Sequence, residues 1–319
     1  MVLSNPLWVV WPVCQVTWET IQPHIMGMRW FRTENDSCRL FRRSFMKRQR
    51  RAALVNDITG FGRCSITVEL PIVSALKVEA CPFPTALLSV HTAFPNPFIR
   101  DETSIMRPYM ENWKEHGVEF EGISTGFLGS EEQVDIVSDF IHMFKKDDTV
   151  VIVDPVMGDW GKLYASYSPA LSEKMKQLLP LADVITPNLT EASRLLGISY
   201  PGNRDLTDQE LEEIARALSE KGPSQVVITG ISRKENVGNY VFERGRPSAY
   251  IGSRRVGGER SGTGDVFTGI LTGCLVRGDA LIPTVRKAAD FISRALAYTA
   301  EQDIPPACGI AFEQFLTEL

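Results

Sequence analysis

The chain has 319 residues, 34 Lys plus Arg against 39 Asp plus Glu, a formal net charge of −5 and 44% hydrophobic residues. This composition excludes a chain that is disordered, collagenous or membrane-embedded along its whole length. The charge is uneven: residues 1–50 carry 8 basic and 3 acidic side chains and four of the six tryptophans, Trp8, Trp11, Trp18 and Trp30, so the remainder carries −10.

The stretch before Glu19, the first charged residue, is apolar. It has no basic n-region and no small-residue cleavage site, and Pro6 and Pro12 interrupt it, which argues against an export signal or a spanning helix. The basic run from Arg29 to Arg51 could be a nucleic-acid or membrane patch, but short basic runs at chain ends are more often solvated tails. Residues 1–45 are therefore expected to be an extension, disordered or lying upstream of the true start, with Met46 a candidate initiator and 46–319 the folded domain. Neither nucleic acid nor membrane is an expected partner. Six cysteines (Cys14, Cys38, Cys64, Cys81, Cys274 and Cys308) form no CxxC pair, so neither a disulfide framework nor a zinc site is expected and a reducing cytoplasm is the default.

From Ala52 on, short β-branched runs alternate with helical patterns, the signature of an α/β fold with a mostly parallel sheet. Strands are expected at Ala52–Asn56, Ala86–Val90, Gly122–Thr125, Thr149–Val153, Asp183–Thr186 and Gln225–Thr229. The run TVVIV at 149–153 suits a central strand covered on both faces. Helices are expected at Cys64–Leu76, with Ile66, Val68, Leu70, Ile72, Val73 and Leu76 as its apolar positions, then at Met106–His116, Glu131–Phe144, Leu171–Leu179, Leu189–Leu196 and Leu206–Lys221. The more polar Asn239–Glu243 and Ser248–Ile251 read as an edge hairpin. Two apolar helices, Val266–Val276 and Leu281–Thr299, complete one large domain.

GxxxxGK[ST] and HExxH are both missing, which disfavours a P-loop enzyme and a zincin. The segment SGTGD, Ser261 to Asp265, precedes an apolar helix. Gly262 and Gly264 around Thr263 leave backbone N–H groups open at a helix N-terminus, an anion site suited to phosphate. A carboxylate there opposes the phosphate charge unless it takes a proton from an attacking hydroxyl. The competing reading is a Gly-rich turn with Asp265 as the N-cap.

Asp154 and Asp159 follow the central strand, and Asn188 and Glu191 follow the next, at the carboxyl ends where open sheets bind ligands. Such oxygens suit Mg²⁺ bridging nucleotide phosphates. Alternatively Asp154 and Asn188 cap turns and Glu191 is a solvated helix residue. A third group, Asn56, Asp57, Ser89, His91, Thr92 and Phe127, offers polar strand ends and an aromatic wall for a small flat heteroaromatic ring, although His91 could be structural and Phe127 core. The residues by themselves reach a small-molecule kinase.

VDPVMGDWGKLY (153–164), ITPNLTEASRLLG (185–197), VVITG (226–230) and SGTGDVF (261–267) together resemble the pyridoxal kinases of the ribokinase-like superfamily, in order across 46–319. The resemblance implies a three-layer α/β sandwich and MgATP-dependent phosphorylation of the 5′-hydroxymethyl group of pyridoxal, pyridoxine or pyridoxamine in salvage of the phosphorylated cofactor. It further implies Asp265 as base, an anion hole from Gly262, Thr263 and Gly264, and Asp154 and Asp159 near the nucleotide phosphates and metal. Asn188 and Glu191 would hold Mg²⁺ directly or through water, Asp159 and Glu191 being the metal residues. Thr186 and Thr229, with Gly230 beside it, would contact phosphate and an activating K⁺ or Na⁺. Asp57 and Thr92 match positions that meet the ring, and Tyr164 and Phe127 lie near it in relatives. A homodimer is implied as well. Asn56 and Asp57 replace a Gln-Ser pair, Val90 an Asn and Phe127 a Tyr; an acid at 57 is closer to the hydroxymethylpyrimidine kinases, the alternative function. A catalytically silent nucleotide-binding regulator is a third class, which Asp265, Asp154 and Glu191 argue against.

Overall fold

Runs rich in Val, Ile and Leu form the middle of a nine-stranded sheet in the computed structural model, which describes residues 49–202, 204–258 and 260–319. The expectations for residues 1–45 and for Met46 lie outside the described residues. The strands are β1 (Arg51–Thr59), β2 (Glu79–Leu88), β3 (Ile99–Asp101), β4 (Gly122–Thr125), β5 (Val150–Val153), β8 (Val184–Ile185), β9 (Gln225–Arg233), β10 (Asn236–Glu243) and β11 (Ala249–Arg254), with β6 (Gly158–Asp159) and β7 (Lys162–Leu163) forming a separate small hairpin. Across the sheet the order is β11-β10-β9-β8-β5-β4-β1-β2-β3. Pairing is parallel from β2 through β9, and β3, β10 and β11 are antiparallel additions at the two edges.

The helices are α1 (Ile66–Ala75), α2 (Thr103–Glu115), α3 (Glu131–Phe144), α4 (Pro169–Lys174), α5 (Leu189–Leu196), α6 (Asp208–Ser219), α7 (Thr263–Arg277) and α8 (Leu281–Glu301). Alternation along the strands feeds both faces: Val151 and Val153 point into one buried cluster with Phe140, Leu195 and Leu211, and Ile152 into the other with Ile72, Ile270 and Phe291. A continuous apolar run is what a strand covered on both sides requires. Among the described residues no helix is long and apolar enough to cross a membrane.

Several boundaries differ from expectation for identifiable reasons. β1 runs to Thr59, so Asn56 and Asp57 are strand residues. β2 begins at Glu79 although it contains Pro82 and Pro84. These prolines are two residues apart and so face one way, and β3 covers that side only from Ala86 onward, so no ladder bond is lost. The helix expected over Leu171–Leu179 is α4 followed by a 3₁₀ turn at Met175–Leu181 that contains Pro180. α7 starts at Thr263, not Val266, with Gly262 as its N-cap. Asp265 is thus in the first turn, and the reading of it as the N-cap is wrong.

One part of the core is an aromatic cluster: the Phe140 ring centroid lies 4.7 Å from that of Phe83 and 4.6 Å from that of Phe144, with Trp113 and Phe120 around it. Phe140→Ala is expected to lower stability by about 3–5 kcal/mol, measured by denaturant unfolding. An unchanged midpoint would show that this cluster does not hold the fold.

Candidate active site

The carboxyl ends of β1, β4, β5, β8 and β9 open toward one edge of the sheet, where the N-termini of α5 and α7 also lie. Gly262 has φ +81° and a Cβ there would sit 2.1 Å from the Arg63 carbonyl oxygen, so only glycine lets the β1–α1 connection close against the start of α7. A Cβ on Gly264 would meet nothing within 4 Å. The first turn of α7 therefore presents backbone N–H groups beside open space, with the helix dipole behind them. Thr263 donates its hydroxyl to the Arg260 carbonyl (3.3 Å), and Asp265 follows one residue after Gly264.

Asp154 continues β5, its amide donating to the Thr125 carbonyl (3.0 Å) and its Oδ2 accepting from Thr268 Oγ1 (3.0 Å) on α7. Asn188 and Glu191 form a capping box at the start of α5: Asn188 Oδ1 accepts from the amides of Thr190 (2.8 Å) and Glu191 (3.0 Å), and Glu191 Oε2 accepts from the Asn188 amide (2.8 Å). Glu191 is buried and is not the solvated helix residue of the alternative reading. Its Oε1 accepts from the Met157 amide (3.0 Å), and Asn188 Nδ2 donates to the Gly158 carbonyl (2.8 Å). The same two residues thus fasten the β6–β7 hairpin that carries Asp159, whose Oδ1 accepts from the Trp160 amide (2.8 Å). Thr186 is buried with no hydrogen-bond partner for its hydroxyl. Thr229 pairs with Asn188 in a parallel bridge, and Gly230 follows with φ +70°.

Asn56, Asp57, His91 and Phe127 come together near Asp265. Asp57 is buried, Oδ1 accepting from Ser65 Oγ (2.6 Å) and Oδ2 from Thr59 Oγ1 (2.7 Å). Ser65, the N-cap of α1, has φ +58°, a strained conformation held by its bond to Asp57. His91 Nδ1 accepts from the Ala93 amide (3.1 Å), and burial lowers the imidazole's proton affinity against the opposing pull of Asp57. Thr92 is exposed. Phe127 packs edge-on against Tyr167 at 6.0 Å, partly in the core. Tyr164 is 45% exposed and belongs to the other side of the site, where burial, then Glu191 and Asp159, raise its phenol.

Burial dominates the electrostatics. It raises Asp154 to about 7, helped by Asp265, and Asp265 to about 6, helped by Asp57 and opposed by the Ser65 amide and the Asn56 side chain. Glu191 is raised well above the usual range by burial and then Asp154. Cys64, pushed up to about 12 by burial and then by Asp265 and Asp57, is an unreactive thiol. Among the described residues no three His, Cys, Asp or Glu side chains are arranged as a metal cage. Mg²⁺ held between phosphates needs only one or two carboxylates. Asp154 and Glu191, which disfavour each other's ionisation, suit a divalent cation that would relieve that repulsion.

Glu69 is the site residue that sequence reasoning missed. Leu70 was expected on the apolar face of α1 but is 37% exposed, while Glu69 is 2% exposed. The signal was its spacing: 66, 69, 72 and 76 lie on one helical face, which turns inward.

The phosphomethylpyrimidine kinase family matches residues 66–305. A hydroxymethylpyrimidine/phosphomethylpyrimidine kinase of Haemophilus influenzae is 34% identical over 178 residues, 54% of this chain and 64% of that one. A pyridoxal kinase of Arabidopsis thaliana is 31% identical over 158 residues, 47% of this chain and 49% of that one. The chain thus spans less than two thirds of the length of these curated relatives. A Bacteroides thetaiotaomicron protein provisionally assigned as a phosphomethylpyrimidine kinase, solved with pyridoxal, is 38% identical with a TM-score of 0.81, covering 85% of this chain and 95% of that one. The pyridoxal kinase of Lactobacillus plantarum is 29% identical with a TM-score of 0.78, covering 84% and 96%.

Asp265 binds its proton more tightly in the folded state than a free aspartic acid does, at about 6 against the ordinary 3.8, chiefly because it is buried. Its contribution to stability is therefore complete below about pH 4 and is lost as pH rises through about 6. Asp265→Asn is expected to raise the Tm by a few degrees at pH 7.5 and to change it little at pH 4. A loss of Tm at pH 7.5 would contradict this.

Proposed function

The chain belongs to the phosphomethylpyrimidine kinase family of the ribokinase-like superfamily, and from that premise we propose that it transfers the γ-phosphoryl group of ATP to the hydroxymethyl group of a vitamin B6 ring. The observation that carries this reading is the Asp265 carboxyl in the first turn of α7, beside Gly262 and Gly264 and held near neutrality. A base whose proton affinity lies just below neutral pH is ionised at pH 7 yet basic enough to take a proton in the transition state.

In this reading the acceptor hydroxyl oxygen forms a bond to the γ-phosphorus while the bond to the ADP oxygen breaks, and the hydroxyl proton passes to Asp265. The N–H groups of Gly262, Thr263, Gly264 and Asp265 take up the charge on the transferring oxygens. Asp154, Asp159 and Glu191 would hold Mg²⁺ directly or through water, and the metal would neutralise phosphate charge. Thr186, with its unpartnered hydroxyl, and Thr229 serve the phosphates or a monovalent cation. Asp57, His91, Thr92 and Phe127 surround the ring, with Tyr164 facing it from the Glu191 side of the site. Residues 46–319 act as the kinase domain of a cytoplasmic homodimer.

The Bacteroides relative solved with pyridoxal favours a B6 ring. A second reading, phosphorylation of hydroxymethylpyrimidine, is favoured by the family description, the Haemophilus relative and the acid at Asp57. Steady-state turnover with ATP and either pyridoxal, pyridoxine, pyridoxamine or hydroxymethylpyrimidine separates the two. The expected result is the highest kcat/KM for a B6 vitamer. A preference for the pyrimidine above about a hundredfold, or about 2.7 kcal/mol in the transition state, would replace the first reading with the second.

A further inference from the structure

The main chain that leaves β4 is held by side chains. Gly126 still bonds to β1 as a strand residue would, its amide donating to the Val55 carbonyl (2.9 Å). Over the next three residues the partners change. The Phe127 amide donates to Asn56 Oδ1 (2.8 Å), and the Phe127 carbonyl accepts from Thr85 Oγ1 (2.9 Å). The Leu128 amide donates to the Tyr167 hydroxyl (3.3 Å), and the Gly129 amide to Gln133 Oε1 (2.8 Å). Backbone groups that leave a sheet inside the protein need partners. Here the partners come from β1, from β2, from the residue before the N-cap of α4 and from the first turn of α3.

An irregularity in β2 places Thr85 for this task. Asn56 pairs with Pro84 and Ile58 with Leu87, so β2 carries one more residue than β1 over that interval. A bulge of this kind re-aims a side chain, and Thr85, fully buried, lies within it. The Thr85 carbonyl is held in turn by Gln133, whose Nε2 is 2.9 Å from it, 2.9 Å from Thr103 Oγ1 and 3.1 Å from Asp101 Oδ2. Gln133 is completely buried, and both ends of its amide are occupied by protein groups. The Phe127 ring is thereby confined. It packs edge-on against Tyr167 at 6.0 Å, and its Cε1 lies 3.6 Å from where a Cβ on Gly129 would sit. Phe127 itself is half-buried, as the wall of a cleft must be.

We propose that Thr85, backed by Gln133, is a positioning residue for acceptor binding: its hydroxyl fixes the main chain at Phe127 so that the Phe127 ring stands as a preformed wall of the acceptor site. Thr85 and Gln133 do not touch substrate. The proposal rests on the reading that the acceptor ring binds against Phe127. It gives a role to two buried polar side chains that phosphoryl transfer does not require. With the Thr85 hydroxyl gone, the Phe127 carbonyl loses its partner and the segment must move to find another. A wall that has to be ordered on binding weakens affinity for the ring, because preorganisation removes that cost in advance. Phosphate and metal residues on the other strands keep their own bonds, so the effect is confined to the acceptor.

The experiment compares Thr85→Val, Thr85→Ser and Phe127→Ala with the parent, using ATP and whichever ring alcohol the parent phosphorylates. Thr85→Val keeps the volume and removes the donor; it is expected to raise the acceptor KM about 10-fold, with kcat and the KM for ATP within about twofold of the parent. Thr85→Ser keeps the hydroxyl and should recover most of that loss. Phe127→Ala should raise the acceptor KM as well, and Thr85→Val should add little in that background, because the two changes act on one contact. An acceptor KM that rises in Phe127→Ala but not in Thr85→Val would overturn the positioning role and leave the ring site standing, whereas a parental acceptor KM in Phe127→Ala would overturn both. A Ser variant as impaired as the Val one, or an equal loss in kcat and ATP KM, also contradicts the proposal. Crystal structures of the parent and Thr85→Val decide it without turnover: the Phe127 ring should be displaced, and an unmoved ring contradicts the proposal whichever alcohol is the substrate.

Discussion

Acidic side chains are crowded into low dielectric at one edge of the sheet, and the rest of the site is arranged around them. Asp57, Glu69, Asp154, Glu191 and Asp265 all hold their protons more tightly than in water, burial being the first cause in each case. They are compensated chiefly by hydroxyls and amides: Thr268 on Asp154, Ser65 and Thr59 on Asp57, the Met157 and Asn188 amides on Glu191, and Asn56 on Glu69. Fixed dipoles of this kind orient carboxylates without neutralising them. Burying carboxyls that are compensated only by dipoles lowers fold stability, and a bound cation would relieve that cost.

The topology explains how so many acids meet. Parallel pairing from β2 to β9 brings the carboxyl ends of β1, β4, β5, β8 and β9 to one edge, so residues far apart in sequence face each other. Two helix starts close the ring: α5, whose capping box also ties down the 158–163 hairpin, and α7, which Gly262 permits to approach the β1–α1 connection. Asp154 just after β5 and Thr268 on α7 are 114 positions apart, yet 3.0 Å separates their oxygens. Removing either helix start would disturb both a backbone cap and a site residue.

Much of this was legible in the chain. The TVVIV run marked a doubly covered strand because its side chains feed both faces, and SGTGD marked a helix start with open backbone because two glycines flank its threonine. Asn188 and Glu191 were legible as a pair, although their capping box and their grip on the 157–161 loop needed three dimensions. Periodicity failed where burial is polar. Glu69 hides on the inward face of α1 while Leu70 beside it faces outward, and a hydrophobicity pattern assigns those two the other way round. Pro82 and Pro84 concealed most of β2, since a sequence does not reveal which flank of a strand lacks a neighbour. Asn56 and Asp57 stood out as polar residues at a strand end; only the geometry showed that their hydrogen bonds run largely to the protein itself.

The central claim is that the Asp265 carboxyl, held just below neutral proton affinity, takes the proton of the attacking hydroxyl. The most direct measurement is kcat for Asp265→Asn at pH 7.5 beside its ATP affinity. The account predicts a loss of about 10²- to 10⁴-fold in kcat with ATP binding near that of the parent. A variant that keeps full turnover would contradict it.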